Sequence, residues 1–570
     1  MGGGPSTVQA TVVPVNSSPE MFPGNHPTDF CLCASGGGSR AMSFTLGVYR
    51  ALWNLNVIQK LDGISSVSGG TWASSVFMFG KNFRGQNIDT ATMLGGMTKP
   101  SSLTLEVLKA EAPPLAWGLT QARSTQLFIK NAAKDVLKPL ADKDVWTKTV
   151  ADLVLEPWGL ESMDACMALS EDDVSRIRSQ NPQLGDTKFC TPRSDRPRLF
   201  LMNGTLLAPA GFQTSGDAIV SFQASPDFCG SPFYPMDSMV DYRPDVNFTP
   251  ASVLFCFSSC CRSDLMVPVG GGLVESFAFG GQAPDTMPEH AVTTSVGRPE
   301  RPLSLADAVG ISSYAPASAL ANDLFTQRNF SVKKEYWPVI AGAMLSPLHN
   351  MARVIPAREY QFGDGGSIDN SGLLPLLQRS ARNVIYIATS YRALSTTYDF
   401  ETVTQEDFDP DAALVVDQLF SLFGYGMDDQ AQGFFNSQNQ VFQKTSLLPL
   451  VQKIAGLKRQ GKPAVVRETL EVLPNKYWGI QGGYNVTLVL IYLETVQDFQ
   501  DQLPAETRHE IARGSEGAFA NFPIYHTNNN NGLNTLDLTA AQVNLLAAQA
   551  EYSVMQNEGL IKQFMANAKQ

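Results

Sequence analysis

Cysteine is scarce in this chain, eight among 570 residues. None stands in a CxxC pair or at zinc-ligand spacing, which excludes a structural zinc site and argues for free thiols in a reducing, cytoplasmic setting. Positive charge is also short. Lys and Arg number 42 against 54 Asp and Glu, a net charge of −12. A nucleic-acid binder needs a basic footprint, so that class is excluded, as is a general electrostatic pull toward anionic membranes. No apolar run reaches the ~18–20 residues of a membrane-spanning helix. The best, Val486 to Leu493, reads as a buried strand. No charged segment followed by an apolar one opens the chain, so no secretory signal is visible. The sequons at Asn203, Asn247, Asn329 and Asn485 then read as chance matches. Histidines number only five, and no EF-hand loop is present. The sequence therefore implies no metal and no cofactor.

What is present is globular, with 44% hydrophobic and 17% charged residues. Residues 1–29, rich in Gly, Pro and Ser, read as a flexible arm. The opening Met1-Gly2-Gly3-Gly4-Pro5-Ser6 fits N-myristoylation at Gly2, a single chain of which gives weak, reversible membrane attachment; a plain unstructured start is the alternative. Phe30 to Ser35 is a buried-strand pattern ending in glycines, and Ala41 to Leu55 carries Phe44, Val48, Leu52 and Leu55 at helical spacing. Ile64 to Val67 reads as a strand and Thr71 to Phe79 as a helix. This alternation predicts an α/β sheet with right-handed crossovers. Residues 90–300 read as a large insertion or cap, Glu359 to Phe362 and Val384 to Ala388 as returning core strands, and Leu538 to Met565 as a helical tail.

Three motifs carry chemistry. Ser35-Gly36-Gly37-Gly38-Ser39-Arg40-Ala41-Met42 joins a strand to a helix. Its glycines allow close backbone approach, its N–H groups at a helix start favour negative charge, and Arg40 adds a donor fork suited to phosphate. Ser65-Ser66-Val67-Ser68-Gly69-Gly70-Thr71-Trp72 is a second strand-to-helix turn. A nucleophile elbow wants small residues two before and just after the Ser, which selects Ser68 over Ser65 and Ser66. Ser66 stands where glycine is usual. Phe362-Gly363-Asp364-Gly365-Gly366 places a carboxylate at a strand end between glycines, a position suited to an active-site crevice.

Together these motifs resemble the catalytic domain of group IV cytosolic phospholipases A2, within the patatin-like acyl hydrolases. The resemblance covers residues 30–80 and 359–390, where Asn370, Pro375 and Leu376-Leu377 also fit. The 296 residues between Ser68 and Asp364 suit the group IV enzymes, whereas Asp-Gly-Gly is closer to patatins. The resemblance implies a three-layer α/β fold over residues 30–570, with the inserted cap at about 90–300. It implies a Ser–Asp dyad with Ser68 as nucleophile and Asp364 as base, Gly37 and Gly38 as oxyanion-hole donors, and Arg40 on the lipid phosphate. The partner would be a phospholipid membrane surface. The 29 residues before the first core strand leave no room for that family's calcium-binding C2 module, so the expectation is calcium-independent hydrolysis of glycerophospholipid acyl esters, as a phospholipase A2 or a lysophospholipase.

Three other readings stand beside this one. Gly36-x-Gly38-x-x-Ala41 fits a dinucleotide loop, but the acid it needs is misplaced, since Asp62 precedes the second strand. A Ser–Asp–His hydrolase would use Ser68, Asp364 and then His509 or His526. A catalytically silent lipid-binding relative is the third. Gly310-Ile311-Ser312-Ser313-Tyr314 superficially resembles an elbow and reads instead as a helix end.

Overall fold

In the strand Phe30–Ala34 (β2) every residue is buried, and its side chains divide by parity. Phe30, Leu32 and Ala34 enter one apolar cluster, Cys31 and Cys33 another. The strand is therefore covered on both faces, as its unbroken apolar run demands. The computed structural model describes residues 7–14, 17, 28–121, 144–209, 212–214, 220–233, 242–244, 272–284, 288–314, 332–336, 358–426, 437–525 and 537–568.

Thirteen strands form one mixed sheet. In chain order they are Thr7–Val13 (β1), β2, Gly63–Val67 (β3), Leu199–Pro209 (β4), Val220–Ala224 (β5), Phe228–Ser231 (β6), Gly272–Glu275 (β7), Val292–Gly297 (β8), Val332–Tyr336 (β9), Arg358–Asp364 (β10), Asn383–Ala388 (β11), Val465–Val472 (β12) and Tyr484–Tyr492 (β13). The main path runs β8-β1-β7-β6-β5-β4-β3-β2-β11-β13-β12, and β9 and β10 join it on β4. At its centre β4, β3, β2, β11 and β13 are parallel, and the flanks are antiparallel.

Helices Gly38–Asn54 (α1) and Gly69–Phe79 (α2) connect and follow the first parallel strands. With Leu305–Ser312 (α3) and the tail helices Ala540–Met555 (α5) and Glu558–Ala568 (α6), they cover one face. Leu447–Arg459 (α4) and the stretches 373–381, 394–425 and 441–442 cover the other. The result is the expected α/β architecture in three layers.

Two boundaries differ from the sequence reading. Part of the supposed arm, Thr7–Val13, is a strand between β8 and β7. Within the supposed cap, five strands between residues 199 and 297 (β4 to β8) belong to the main sheet. Gly2 lies outside the described residues.

Candidate active site

The two chemistry-bearing turns meet because of strand register on β4. β3 runs parallel to β4 and ends with Val67 opposite Asn203. β10 runs antiparallel along the same side of β4 and ends with Asp364 opposite Gly204. Two strands thus approach end to end and finish on consecutive residues of a third. Ser68 follows one and Asp364 closes the other, bringing residues 296 apart in sequence to one point.

Ser68 has φ 51° and ψ −123°, a conformation strained for any residue with a side chain and persistent only where the surroundings enforce it. Its N–H donates to the carbonyl oxygen of Ser312 at 2.9 Å and to the Ser312 hydroxyl at 3.2 Å. Its own carbonyl accepts from Thr71 and Trp72 in the first turn of α2. The Ser312 hydroxyl lies 2.8 Å from Thr71 Oγ1, which donates to Ser66 Oγ at 3.0 Å. Ser66 then donates to the Leu201 carbonyl at 3.2 Å. The serine standing where glycine is usual is therefore a working link in the elbow. Asn203 donates to Ser65 Oγ and to the Ser66 carbonyl from the other side.

The glycine loop lies against this elbow. A Cβ on Gly69 would stand 2.0 Å from the Gly38 carbonyl oxygen, and one on Gly36 would stand 3.0 Å from Ser68 Cβ. Gly37 (φ 137°) and Gly38 (φ 58°) occupy backbone conformations that disfavour side chains. Gly36 donates to the Asn370 carbonyl. The N–H groups of Gly37 and Gly38 have no acceptor among the described residues, both residues are half-buried, and both open a 17-residue helix without a side-chain cap. Two unused donors at a positive helix end, beside the turn that holds the buried Ser68, are an arrangement able to stabilise negative charge.

Asp364 is 5% exposed. Burial pushes its carboxyl up to about 7, while the Gly366 N–H, which donates to Oδ1 at 2.7 Å, and the Ser68 hydroxyl both pull it down. The following turn is pinned by the buried Asp369, whose carboxylate accepts from Ser371 and Leu374. Asn370 bonds Gln418 at 2.6 Å. One turn thus carries the carboxylate and braces Gly36.

Arg40 is buried. Nη1 donates to the main-chain oxygens of Ile524 (3.3 Å) and Tyr525 (3.1 Å). Its Nε has no partner, and no carboxylate pairs with it among the described residues. Burial lowers its pKa to about 10, opposed by nearby Tyr391. Of the histidines, His509 lies exposed on the helix Ala505–Ala512 and His290 is exposed; His26, His349 and His526 lie outside the described residues.

Sequence reasoning thus picked out Ser68, Asp364, Gly37 and Gly38, which the fold brings together. It read Ser312 as a helix end, which it is, and missed its bond to the elbow. Asn203 and Thr205, whose hydroxyl donates to the Asp364 carbonyl at 2.7 Å, carry no local signal. Their partners lie more than 130 residues away.

No protein-family model and no curated protein sequence matches the chain. Among solved structures it is similar to human GIVD cytosolic phospholipase A2, at 11% identity over 95% of this chain and 63% of that one, with a TM-score of 0.46. It is also similar to the same human enzyme in complex with methyl gamma-linolenyl fluorophosphonate inhibitor and terbium chloride, at 14% identity over 95% and 59% of the two chains, with a TM-score of 0.40. The chain spans less than two thirds of the length of that phospholipase. Likeness at this level has no bearing on activity, which must be read from the geometry around Ser68.

Proposed function

We propose that the protein is a lipid acyl hydrolase that cleaves fatty-acyl esters of glycerophospholipids through a Ser68–Asp364 dyad, without calcium. The observation that supports it is the end-to-end meeting of β3 and β10 on β4, which sets a strained serine against a buried carboxyl beside two unused N–H donors.

In this mechanism ionised Asp364 takes the Ser68 proton as Oγ attacks the ester carbonyl. The carbonyl oxygen becomes an oxyanion and is stabilised by the N–H groups of Gly37 and Gly38, donors already aimed and needing little reorganisation. As the tetrahedral intermediate collapses, the C–O bond to the lysophospholipid breaks and Asp364 protonates the leaving oxygen. Water then enters, gives a proton to Asp364 and attacks the acyl carbon; as the Ser68 Oγ–C bond breaks, Asp364 returns the proton to Oγ and the fatty acid leaves. A base titrating near neutrality suits both directions of transfer. Arg40, which pairs with no carboxylate among the described residues, would face the lipid phosphate with the donors its two carbonyl bonds leave spare. The membrane surface is the source of substrate.

The test is hydrolysis of a phosphatidylcholine with distinguishable acyl chains, in EGTA, by wild type, Ser68→Ala and a His509→Ala/His526→Ala double variant. Serine-dependent release that survives loss of both histidines is expected. Loss of activity in the folded histidine variant would move the chemistry to a Ser–Asp–His hydrolase. A folded wild type that neither releases fatty acid nor labels at Ser68 with a fluorophosphonate would overturn the proposal.

A further inference from the structure

Arg40 lies three residues beyond Gly37, and its side chain folds back toward the loop: a Cβ on Gly37 would stand 3.0 Å from Nη2. The other guanidinium nitrogen, Nη1, reaches 484 and 485 residues along the chain to two main-chain oxygens. Resting on the assignment of Gly37 and Gly38 as oxyanion donors, we infer that Arg40 is a positioning residue. It ties the oxyanion loop to the stretch 522–525, so the rate on any acyl ester, charged or neutral, depends on that tie.

Three observations carry this. The first is that Asn370 and Thr389 hold only Gly36, which leaves Gly37 and Gly38 in need of a further restraint. Glycines at positive φ have broad conformational freedom, and the first turn of α1 has no side-chain cap. The second is that the far end is firm. Tyr525 is buried, its ring packs on Phe522 at 5.8 Å, and Phe522 packs on Phe499 at 6.4 Å. The third is that the guanidinium is committed. With no carboxylate partner among the described residues, its charge is met at Nη1 by two carbonyl dipoles, which fixes where the arginine can stand. A donor that only awaited a phosphate would need no such bonds. A shift of about 1 Å in an oxyanion donor costs up to ~100-fold in rate, so a strut at this place controls kcat.

The two roles of Arg40 separate by substrate. Wild type, Arg40→Ala, Arg40→Lys, Tyr525→Ala and the Arg40→Ala/Tyr525→Ala double variant are assayed on a neutral short-chain nitrophenyl ester and on phosphatidylcholine, with melting curves for each. On the neutral ester, Arg40→Ala is expected to lower kcat about 10- to 100-fold with KM little changed. Arg40→Lys should recover part of this, because an ammonium can also meet a carbonyl. Tyr525→Ala loosens the far end without touching the loop and should lower kcat in the same direction. The double variant should be no worse than Arg40→Ala, because both changes break one linkage. Where Arg40→Ala does not fold, the lysine and Tyr525 variants decide. Full kcat on the neutral ester in the Arg40 variants, or losses that add in the double variant, would overturn the strut while leaving the dyad standing. A wild type inactive on both esters would remove the dyad and the strut together.

Discussion

Asp364 is expected to give the protein two opposite pH responses. Its carboxyl titrates at about 7 in the fold, against about 3.9 in an unfolded chain. In the proposed mechanism Asp364 acts as base only when ionised, so kcat/KM is expected to rise with pH through about 7 and to level above it. Stability runs the other way. Between about pH 4 and pH 7 the folded state holds a proton that the unfolded state has released, so this residue's contribution to stability falls as pH rises across that window. Asp364→Asn should therefore abolish turnover and yet melt higher than wild type at pH 8, by roughly 2–4 kcal/mol, with the difference fading toward pH 4. Paired melts at the two pH values check this; equal melting at pH 8 would mean the carboxylate is better solvated than its burial implies. Both residues of the proposed dyad were legible in the sequence, because glycines at fixed offsets are a local signature of a tight turn. The relay from Ser312 through Thr71 and Ser66 to Leu201 was not, because a hydroxyl that bonds across 241 residues looks like any other serine.

At the level of elements, α1 is the piece the proposed site depends on, since its first residues follow the glycine loop assigned to the oxyanion. The spacing of Phe44, Val48 and Leu52 showed the helix and one buried stripe. In the fold nearly the whole helix, from Ser39 to Leu52, is buried, because α5 closes over the side away from the sheet. Gly47 permits this closeness: a Cβ there would stand 2.0 Å from the Ala547 carbonyl oxygen. Three residues on, Arg50 pairs with Glu551 at 3.0 Å, with side chains 5% and 3% exposed. Arg50 also donates to the Gly96 carbonyl, and Glu551 accepts from Thr98 N–H. No sequence pattern pairs residues 501 apart, so this seam was hidden. A buried pair is costly to break from one side. Glu551→Ala should lower unfolding free energy by about 3–5 kcal/mol by stranding the Arg50 charge, and Arg50→Met in the same chain should return much of it. Denaturant titrations of the single and double variants measure the coupling. Simple additivity would show that the pair does not fasten α5 to α1.

For the molecule as a whole, the sheet is larger than the sequence suggested, and its far end is built from segments read as arm and cap. Thr7–Val13 had its signal in plain view: Val8, Ala10 and Val12 alternate with Thr7, Gln9 and Thr11, a period of two. The Gly, Pro and Ser around it hid the strand among loop-like composition. Those three apolar residues are buried to 1% exposure or less. Along the side shared with β7, Gln9 N–H donates to Asn181 and Thr11 N–H to Glu275, side chains that continue the ladder where β7 ends. β8 pairs with β1 over six residues and with no other strand among the described residues. Removing residues 1–13 should therefore strip β8 of its partner as well as uncover the apolar face beneath β1, a loss of roughly 4–6 kcal/mol for two valines and an alanine with their strand. The site lies on β3 and β4, across β7, β6 and β5 from this end, so kcat of the folded fraction should stay at the wild-type value while the melting temperature and soluble yield fall. Val8→Asp, which places a charge under the strand and leaves the backbone ladder intact, should reproduce the direction at smaller size. A truncated chain that melts with the wild type would show that the far edge folds without its first strand. One that melts normally but loses kcat would mean that this edge reaches the dyad through the sheet.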